Sequence, residues 1–296
     1  MGKARPRTAA FRTLLSLTQR LALRALVLPI LMSVLILPIS QALAWTITAD
    51  FESGTLGQMA QGPTGFSVGG GMTQTTFDNT RPNTGTKSAK AFINAGNEGW
   101  GEWGGLFVNG ASPYFHSPVG QGGELWFRMY VWFPSDWNWQ TGTYIKIMRV
   151  LISPGSAKIS LLANRFGGIV GNSEVVNQNY GSSVSYSLGT WQFIEMYIKL
   201  HATPGQGIFR AWKNGVLVFE NTTHPTLPSS SHSATDLYVF SQWNDGSPVN
   251  QSCWIDDIKA TTFQPANRDA QGHYMIGAIG GEGQAPTAPG SLRVAP

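Results

Sequence analysis

Residues 124–133, ELWFRMYVWF, decide the fold, because two different faces alternate along them. Successive side chains of a β-strand point to opposite sides of the sheet. One set of positions is an ordinary apolar core face: Leu125, Phe127, Met129, Val131 and Phe133. The other set is aromatic and charged: Trp126, Arg128, Tyr130 and Trp132. The stretch therefore predicts a strand with one core face and a second face that needs its own explanation.

Short segments of the same kind recur along the chain, and Asn214-Gly215 between two of them is a favoured hairpin turn. Outside the N-terminal region no segment keeps a helical period over three turns. The strand candidates are SAKAFI (88–93), WGGLFV (103–108), TYIKIMRVLI (143–152), KISLLA (158–163), WQFIEMYIKL (191–200), GIFRAWKNGVLVFE (207–220), DLYVFSQW (236–243) and SCWIDDIKATTF (252–263). This spacing predicts an all-β fold, a sandwich or jelly roll of two antiparallel sheets.

The N-terminus has the pattern of a secretory signal peptide. Residues 1–24 hold six basic residues and no acid, residues 25–40 are apolar, and Ala42-Leu43-Ala44 is a small-x-small cleavage pattern. We predict a signal peptide over 1–44, a jelly-roll domain over 45–277 and a flexible Gly/Ala/Pro-rich tail over 278–296. The alternative is an uncleaved membrane anchor, against which the short run and its Pro29 and Pro38 argue. The predicted location is secreted or periplasmic, without a stable membrane anchor after cleavage.

Composition narrows the possible functions. The net charge is +4, but removal of residues 1–44 leaves 14 basic and 16 acidic residues, a net charge of −2, which disfavours a nucleic-acid partner. The only cysteine, Cys253, excludes an internal disulfide and alternates with Ile255 as a core residue would. No Cys/His cluster for zinc, no phosphate-binding loop and no paired carboxylates of a glycosidase occur in the sequence.

Basic and aromatic residues remain as the candidate chemistry. If strands 144–150 and 237–243 neighbour strand 124–133 in one sheet, six side chains share a surface: Trp126, Arg128, Tyr130, Trp132, Lys146 and Gln242. Tyr144 falls on the same face of its strand as Lys146. Sugars stack on aromatic rings, and Arg or Lys holds the acid group of a carboxylated sugar. The surface would suit an acidic polysaccharide as partner. The simpler interpretation of each residue is a solvated strand charge or a ring covered by loops.

Several motifs together resemble a known family. The motifs are DFESG, LWFRMYVWFP, YIKIMRV, GTWQFIEMYIKL, FRAWKNGVLVFE and WIDDI. They resemble the concanavalin A-like jelly-roll proteins grouped with polysaccharide lyases of the heparin lyase I and glucuronan lyase kind, over roughly Asp50 to Gly277. The resemblance implies two facing antiparallel sheets with a concave groove on one of them. It also implies β-elimination on uronate-containing chains.

The resemblance further implies roles for particular residues. Arg128, Lys146 or Gln242 would neutralise the sugar carboxylate, His116 or Tyr130 would act as base, and Tyr130 as acid. Trp126, Trp132, Gln242 and Tyr144 would contact the substrate. Related jelly rolls often hold a structural Ca²⁺, for which Glu52 and Asp257 are the candidate ligands; the alternative is that these acids cap turns.

Two other functions stay open on the sequence. A non-catalytic, lectin-like carbohydrate-binding domain would keep the same groove without a working acid and base. A structural surface protein would use the sandwich as a spacer and bind no polysaccharide.

Overall fold

The computed structural model describes residues 44–68 and 72–280, so the predicted signal peptide up to residue 43 and the tail from residue 281 lie outside the described residues. Within this part there are sixteen strands and no helix, hence no helix able to cross a membrane. The strands are β1 (Thr46–Ala49), β2 (Thr75–Asp78), β3 (Ser88–Ile93), β4 (Gly105–Phe107), β5 (Glu124–Trp132), β6 (Ile145–Ser153), β7 (Ala157–Ala163), β8 (Gly168–Ser173), β9 (Gln178–Ser185), β10 (Trp191–Lys199), β11 (Ile208–Lys213), β12 (Val216–Asn221), β13 (Ser233–Trp243), β14 (Gln251–Thr261), β15 (Asn267–Arg268) and β16 (Tyr274–Met275).

Two antiparallel sheets account for all but the last two strands. The eight-stranded sheet has the order β12-β11-β10-β5-β14-β3-β2, with β1 also paired to β14. The six-stranded sheet has the order β4-β13-β6-β7-β8-β9, and β15 pairs with β16. The prediction of an all-β jelly-roll sandwich of two antiparallel sheets is confirmed.

The hydrophobic core lies between the two sheets. It takes Phe127, Met129 and Val131 from β5 and Ile145 and Val150 from β6, all fully buried. Each such side chain contributes about 1.5–3 kcal/mol when it leaves water. The apolar face predicted for ELWFRMYVWF is therefore a core face.

Strands β5 and β6 lie in different sheets, which corrects the expectation that they are neighbours. Strand β5 lies between β10 and β14, whereas β6 lies between β13 and β7. The connection between β5 and β6 crosses the sandwich and does not form a hairpin. Its Trp137 and Trp139 are buried, with ring centroids 5.1 and 4.6 Å from that of Phe133, so burial of these indoles holds the crossing.

A C-terminal segment, residues 267–279, covers most of the second face of β5. The Trp126 indole donates to the Tyr274 carbonyl at 3.0 Å, and Arg128 Nη1 donates to the Gly277 carbonyl at 2.6 Å. The carboxylate of Glu195, on the adjacent β10, accepts the backbone N–H groups of Ile276 and Gly277 at 2.6 and 3.0 Å. Trp126, Arg128 and Glu195 therefore bind the chain's own C-terminal segment to this face of the sheet.

We expect the stability of this fastening to depend on pH through Glu195. Burial raises the pKa of this fully buried carboxyl from 4.5 to about 7, against the two N–H donors and Arg128, which lower it. Because the pKa of Glu195 is higher in the folded protein than in the unfolded chain, its contribution to stability is complete below the pKa of the unfolded chain. The free energy of unfolding then falls as pH rises toward 7, by about 3 kcal/mol in total. Urea unfolding at pH 5 and pH 7.5 should show the loss.

Glu195→Gln is the matched variant, because it keeps the shape of the side chain and removes the titrating group. Its free energy of unfolding should change less between pH 5 and pH 7.5 than that of the wild type. Asp256 also titrates near this range, because burial and then the charge of Asp257 raise its pKa to about 8. The free energy of unfolding should therefore keep some dependence on pH in both proteins. Equal slopes in variant and wild type would contradict the assignment to Glu195.

Candidate functional site

The outer face of the six-stranded sheet gathers the remaining basic and aromatic residues. Lys146 on β6 is paired across the ladder with Gln242 on β13, and Arg149 is paired with Tyr238. Directly opposite residues in an antiparallel pair lie about 5 Å apart, so these are contacting pairs. We call these four residues and Tyr144, which precedes β6, the Lys146 face.

A β-bulge in β6 brings Arg149 to the same side as Lys146, and a second bulge lies in the neighbouring β13. The β6–β7 register shifts between Lys146 and Met148, and the β6–β13 register shifts between Val239 and Gln242. Strict alternation would place Met148 with Lys146 and Arg149 opposite, but Met148 is fully buried in the core. Phe240, in the second bulge, has a φ of 52°, in the left-handed region that a phenylalanine rarely adopts.

Arg149 is fixed under this face. It is 4% exposed, its Nη1 donates to Ser241 Oγ at 3.2 Å, and its Nη2 pairs with Glu174 at 3.0 Å. Because Arg149 is buried and bound on both sides, its guanidinium keeps a fixed position. We therefore treat Arg149 as a positioning residue, whose positive charge acts on Lys146 and Tyr238.

Lys146 is one of two cations of the face whose pKa is lowered, the other being Arg149. Burial lowers the pKa of its ammonium, the nearby Arg149 lowers it further, and Glu174 opposes the shift. Its Nζ lies 5.7 Å from the centroid of the Tyr144 ring, whose hydroxyl accepts from Asn179 Nδ2 at 3.4 Å. A partly buried lysine with a lowered pKa is the usual form of a lysine general base.

Tyr238 is covered by an exposed tryptophan. The rings of Trp100 and Tyr238 are stacked with centroids 6.4 Å apart, and Trp100 is 59% exposed. Burial raises the pKa of the Tyr238 hydroxyl, Asp236 raises it further and Arg149 opposes this shift. The Tyr238 phenol stays protonated near neutral pH, like an ordinary tyrosine, and the raised pKa makes it a weaker acid than a solvent-exposed phenol.

Sequence reasoning missed Arg149, Glu174, Trp100 and the functional position of Tyr238. Alternation put Arg149 on the wrong side, because a bulge leaves no mark in the residue types of YIKIMRV. The alternation that selected Gln242 also predicts Tyr238 on the same face, since both fall on one side of the predicted strand. No sequence signal places Trp100 beside them.

The predicted site residues on β5 do not join the Lys146 face. Trp126, Arg128 and Tyr130 lie under the C-terminal segment, and Tyr130 Oη accepts the Ile279 N–H at 2.9 Å. Trp132 lies on the same outer face of the eight-stranded sheet. Of the predicted residues, the structure thus brings together Tyr144, Lys146 and Gln242.

His116 is also remote from the Lys146 face. It is 4% exposed, its Nε2 lies 2.8 Å from the Thr235 carbonyl, and its ring packs against Trp45 at 4.9 Å. Thr235 and Gln242 are seven residues apart on β13, about 20 Å at the usual rise of a strand. The base proposed from the sequence is therefore a buried loop histidine.

The predicted calcium ligands lie around one loop. Glu52 accepts the N–H groups of Thr86 and Lys87, both at 2.9 Å, and Asp257 accepts from the Asn83 amide and Thr84 hydroxyl at 2.7 and 2.9 Å. Oxygen donors of this kind fit Ca²⁺. Against this, no cluster of three acidic, histidine or cysteine side chains suited to a metal occurs in the described ranges. Calcium stays a prediction.

Chelation tests this prediction directly. If Ca²⁺ binds at this loop, EDTA should lower Tm by about 5–10 °C, the effect of losing a ligand present at about 100 times its Kd. Added Ca²⁺, but not Mg²⁺, should restore Tm, and Glu52→Gln should abolish the response. A Tm unchanged by EDTA would contradict a structural calcium.

Comparison with known proteins supports the fold. No protein-family model and no curated protein matches the sequence. Among solved structures, an endo-β-1,4-glucuronan lyase from the fungus Trichoderma reesei is similar at 13% identity and a TM-score of 0.50, over 73% of this chain and 95% of that chain. Alginate lyase Aly36B is similar at 13% identity and a TM-score of 0.51, over 73% and 96%. A variant of Aly36B in complex with an alginate trisaccharide matches at 12% and 0.51, over 75% and 100%.

The chain has a jelly-roll polysaccharide lyase-like fold. The resemblance noted in the sequence motifs is thus confirmed at the level of the fold. At these identities the likeness extends to the architecture alone, and the chemistry must be argued from the Lys146 face.

Proposed function

We propose that the protein is a secreted lyase that cleaves an acidic, uronate-containing polysaccharide by β-elimination on the Lys146 face. The observation that supports this most strongly is Lys146 itself, a lysine of lowered pKa beside an amide, an arginine and two tyrosines. The solved lyases of similar fold are named for glucuronan and alginate, both uronate polymers. The alternative is a binding domain that uses the same face without catalysis.

The reaction has two proton transfers. Neutral Lys146 takes the proton from the carbon next to the sugar carboxylate, and a carbon–carbon double bond forms as the glycosidic carbon–oxygen bond breaks. The Gln242 amide and the field of Arg149 stabilise the negative charge that develops on the carboxylate. The leaving oxygen then takes a proton, so the products are an unsaturated uronate end and a new hydroxyl end.

Tyr238→Phe identifies the donor of the second proton. The candidate donors on this face are the Tyr238 phenol, the Tyr144 phenol and the Lys146 ammonium formed in the first step. If the Tyr238 phenol is the donor, Tyr238→Phe should lose about a hundredfold or more in kcat with little change in KM, and Tyr144→Phe should not. The reverse result would make the Tyr144 phenol the donor. If kcat falls less than threefold in both variants, the Lys146 ammonium is the donor.

The decisive experiment is incubation of the mature protein with a panel of uronate polymers while the absorbance of the unsaturated uronate product is recorded. The proposal predicts a rise with at least one of polyglucuronate, polymannuronate and polyguluronate. Retention of the protein on such a polymer without any rise would support the binding-domain alternative. Neither rise nor retention would contradict both.

A further inference from the structure

Three tryptophans form a row across the outer face of the eight-stranded sheet. Trp191 on β10 is paired with Trp132 on β5, and Trp132 is paired with Trp254 on β14. The Trp132 and Trp191 rings meet edge to face at 6.1 Å, and both are only partly buried. Adjacent strands are about 4.8 Å apart, so the row extends for about 10 Å across the strands. We call it the tryptophan row.

Cations accompany the tryptophan row. The Arg81 guanidinium lies over the Trp132 and Trp254 rings, 5.0 and 5.1 Å from their centroids. Lys90, paired with Trp254 across β3, places its Nζ 5.7 Å from the same indole. Asp78 accepts the Trp254 N–H at 3.0 Å and partly offsets the charge of Lys90.

Arg81 is the cation that remains for a ligand. Its residue is exposed, and in the described part of the chain its guanidinium has neither a hydrogen bond nor an ion pair. The guanidinium carbon lies about equally far from the two indoles, so contact with both rings restricts where the charge can lie. An arginine without a protein partner is suited to bind a carboxylate.

The C-terminal segment leaves this part of the sheet uncovered. It covers Trp126 and Arg128, and Ile279 reaches Tyr130, whereas the next outward position of β5 is Trp132. Among the described residues, the C-terminal segment thus covers one end of this face of β5, whereas Trp132 at the other end is only partly buried. Trp191 is likewise partly buried and Trp254 is 9% exposed, so the surface offers two partly exposed indoles beside the exposed Arg81.

We propose that the tryptophan row with Arg81 is a second binding surface for an acidic polysaccharide chain, on the sheet opposite the Lys146 face. A sugar ring would stack on the Trp191 indole, and a uronate carboxylate would pair with Arg81. A row across neighbouring strands gives successive sugars of one chain successive contacts. This surface would hold the polymer while the Lys146 face acts on another part of it, and its binding does not depend on whether that face is catalytic.

Native gel electrophoresis in gels containing alginate or polyglucuronate tests the proposal. Trp191→Ala and Arg81→Gln should each weaken retention by roughly three- to fivefold, as for removal of one partly exposed contact. The same factors should appear in wild type and in Lys146→Ala, because effects at separate surfaces multiply. Arg81→Gln should also make retention less dependent on salt.

Arg268→Gln is the matched control. Arg268 is an exposed arginine that stacks on Tyr274 at 3.7 Å, away from the tryptophan row, and its loss removes the same charge. It should leave retention unchanged, and all variants should keep the wild-type Tm within about 2 °C.

Three results would overturn the proposal. The first is unchanged retention in both row variants, and the second is an equal loss in Arg268→Gln, which would mean non-specific charge attraction. The third is a neutral β-glucan retained as strongly as the uronate polymers. Lyase activity is read separately by absorbance, so failure of the Lys146 proposal and failure of this one are distinguishable.

Discussion

Lys146→Ala is expected to lower the rate of uronate product formation by a hundredfold or more, because loss of a positioned general base typically costs a factor of 10²–10⁴. Lys146 is partly exposed at the surface of the six-stranded sheet, and its side chain packs no core. The Tm should therefore stay within about 2 °C of wild type. The measurement is kcat/KM from product absorbance, with thermal melting of the same preparations.

Two further variants separate a base from a simple positive charge. Lys146→Arg keeps the charge but cannot lose a proton near neutral pH, so it should be as inactive as Lys146→Ala. Lys158→Ala removes a lysine from the neighbouring β7, near the same Glu174, and should retain most activity. Substantial activity in Lys146→Arg would show that the residue only binds the sugar carboxylate.

Arg128→Ala is expected to act on stability and not on chemistry. Arg128 is 5% exposed and holds the Gly277 carbonyl beside the fully buried Glu195. Removal of Arg128 leaves the Gly277 and Asp257 carbonyls without a charged donor, at about 1.5–3 kcal/mol for each such hydrogen bond, so the free energy of unfolding in urea should fall by roughly that amount. Below the new midpoint, kcat should stay near the wild-type value.

Arg268→Ala is the control for this prediction, since it removes an exposed arginine from the same C-terminal segment and should cost about 1 kcal/mol or less. Loss of activity in Arg128→Ala without loss of stability would restore the catalytic role inferred from sequence.

The contrast between Arg128 and Lys146 shows how far the sequence alone could lead. Both were selected by the same argument, a cation on an aromatic strand face. The strand content, the core face of β5 and the jelly-roll architecture follow from local alternation and turn residues, and these predictions are confirmed. Which outer face meets solvent depends on contacts between residues about 150 positions apart, such as Arg128 with Gly277.

The candidate site was predicted only in part for the same kind of reason. Tyr144, Lys146 and Gln242 share a face because β6 and β13 are neighbours, although neither pairs with β5 as the sequence argument required. Arg149 joins them through a bulge, where one extra residue reverses the alternation that every strand-face argument assumes. Trp100 joins through a loop whose conformation no periodicity encodes.

The pairing of β1 with β14 also constrains the time course of folding. Thr46, in the first strand, pairs with Thr261, and the charges on β5 and β10 meet their partners only at Ile276 and Gly277. Contacts between such distant positions make folding slow, because a long loop must close before they form. A ribosome must therefore complete nearly the whole domain before its sheet can close. Until then, the apolar face of each finished strand has no partner sheet to pack against.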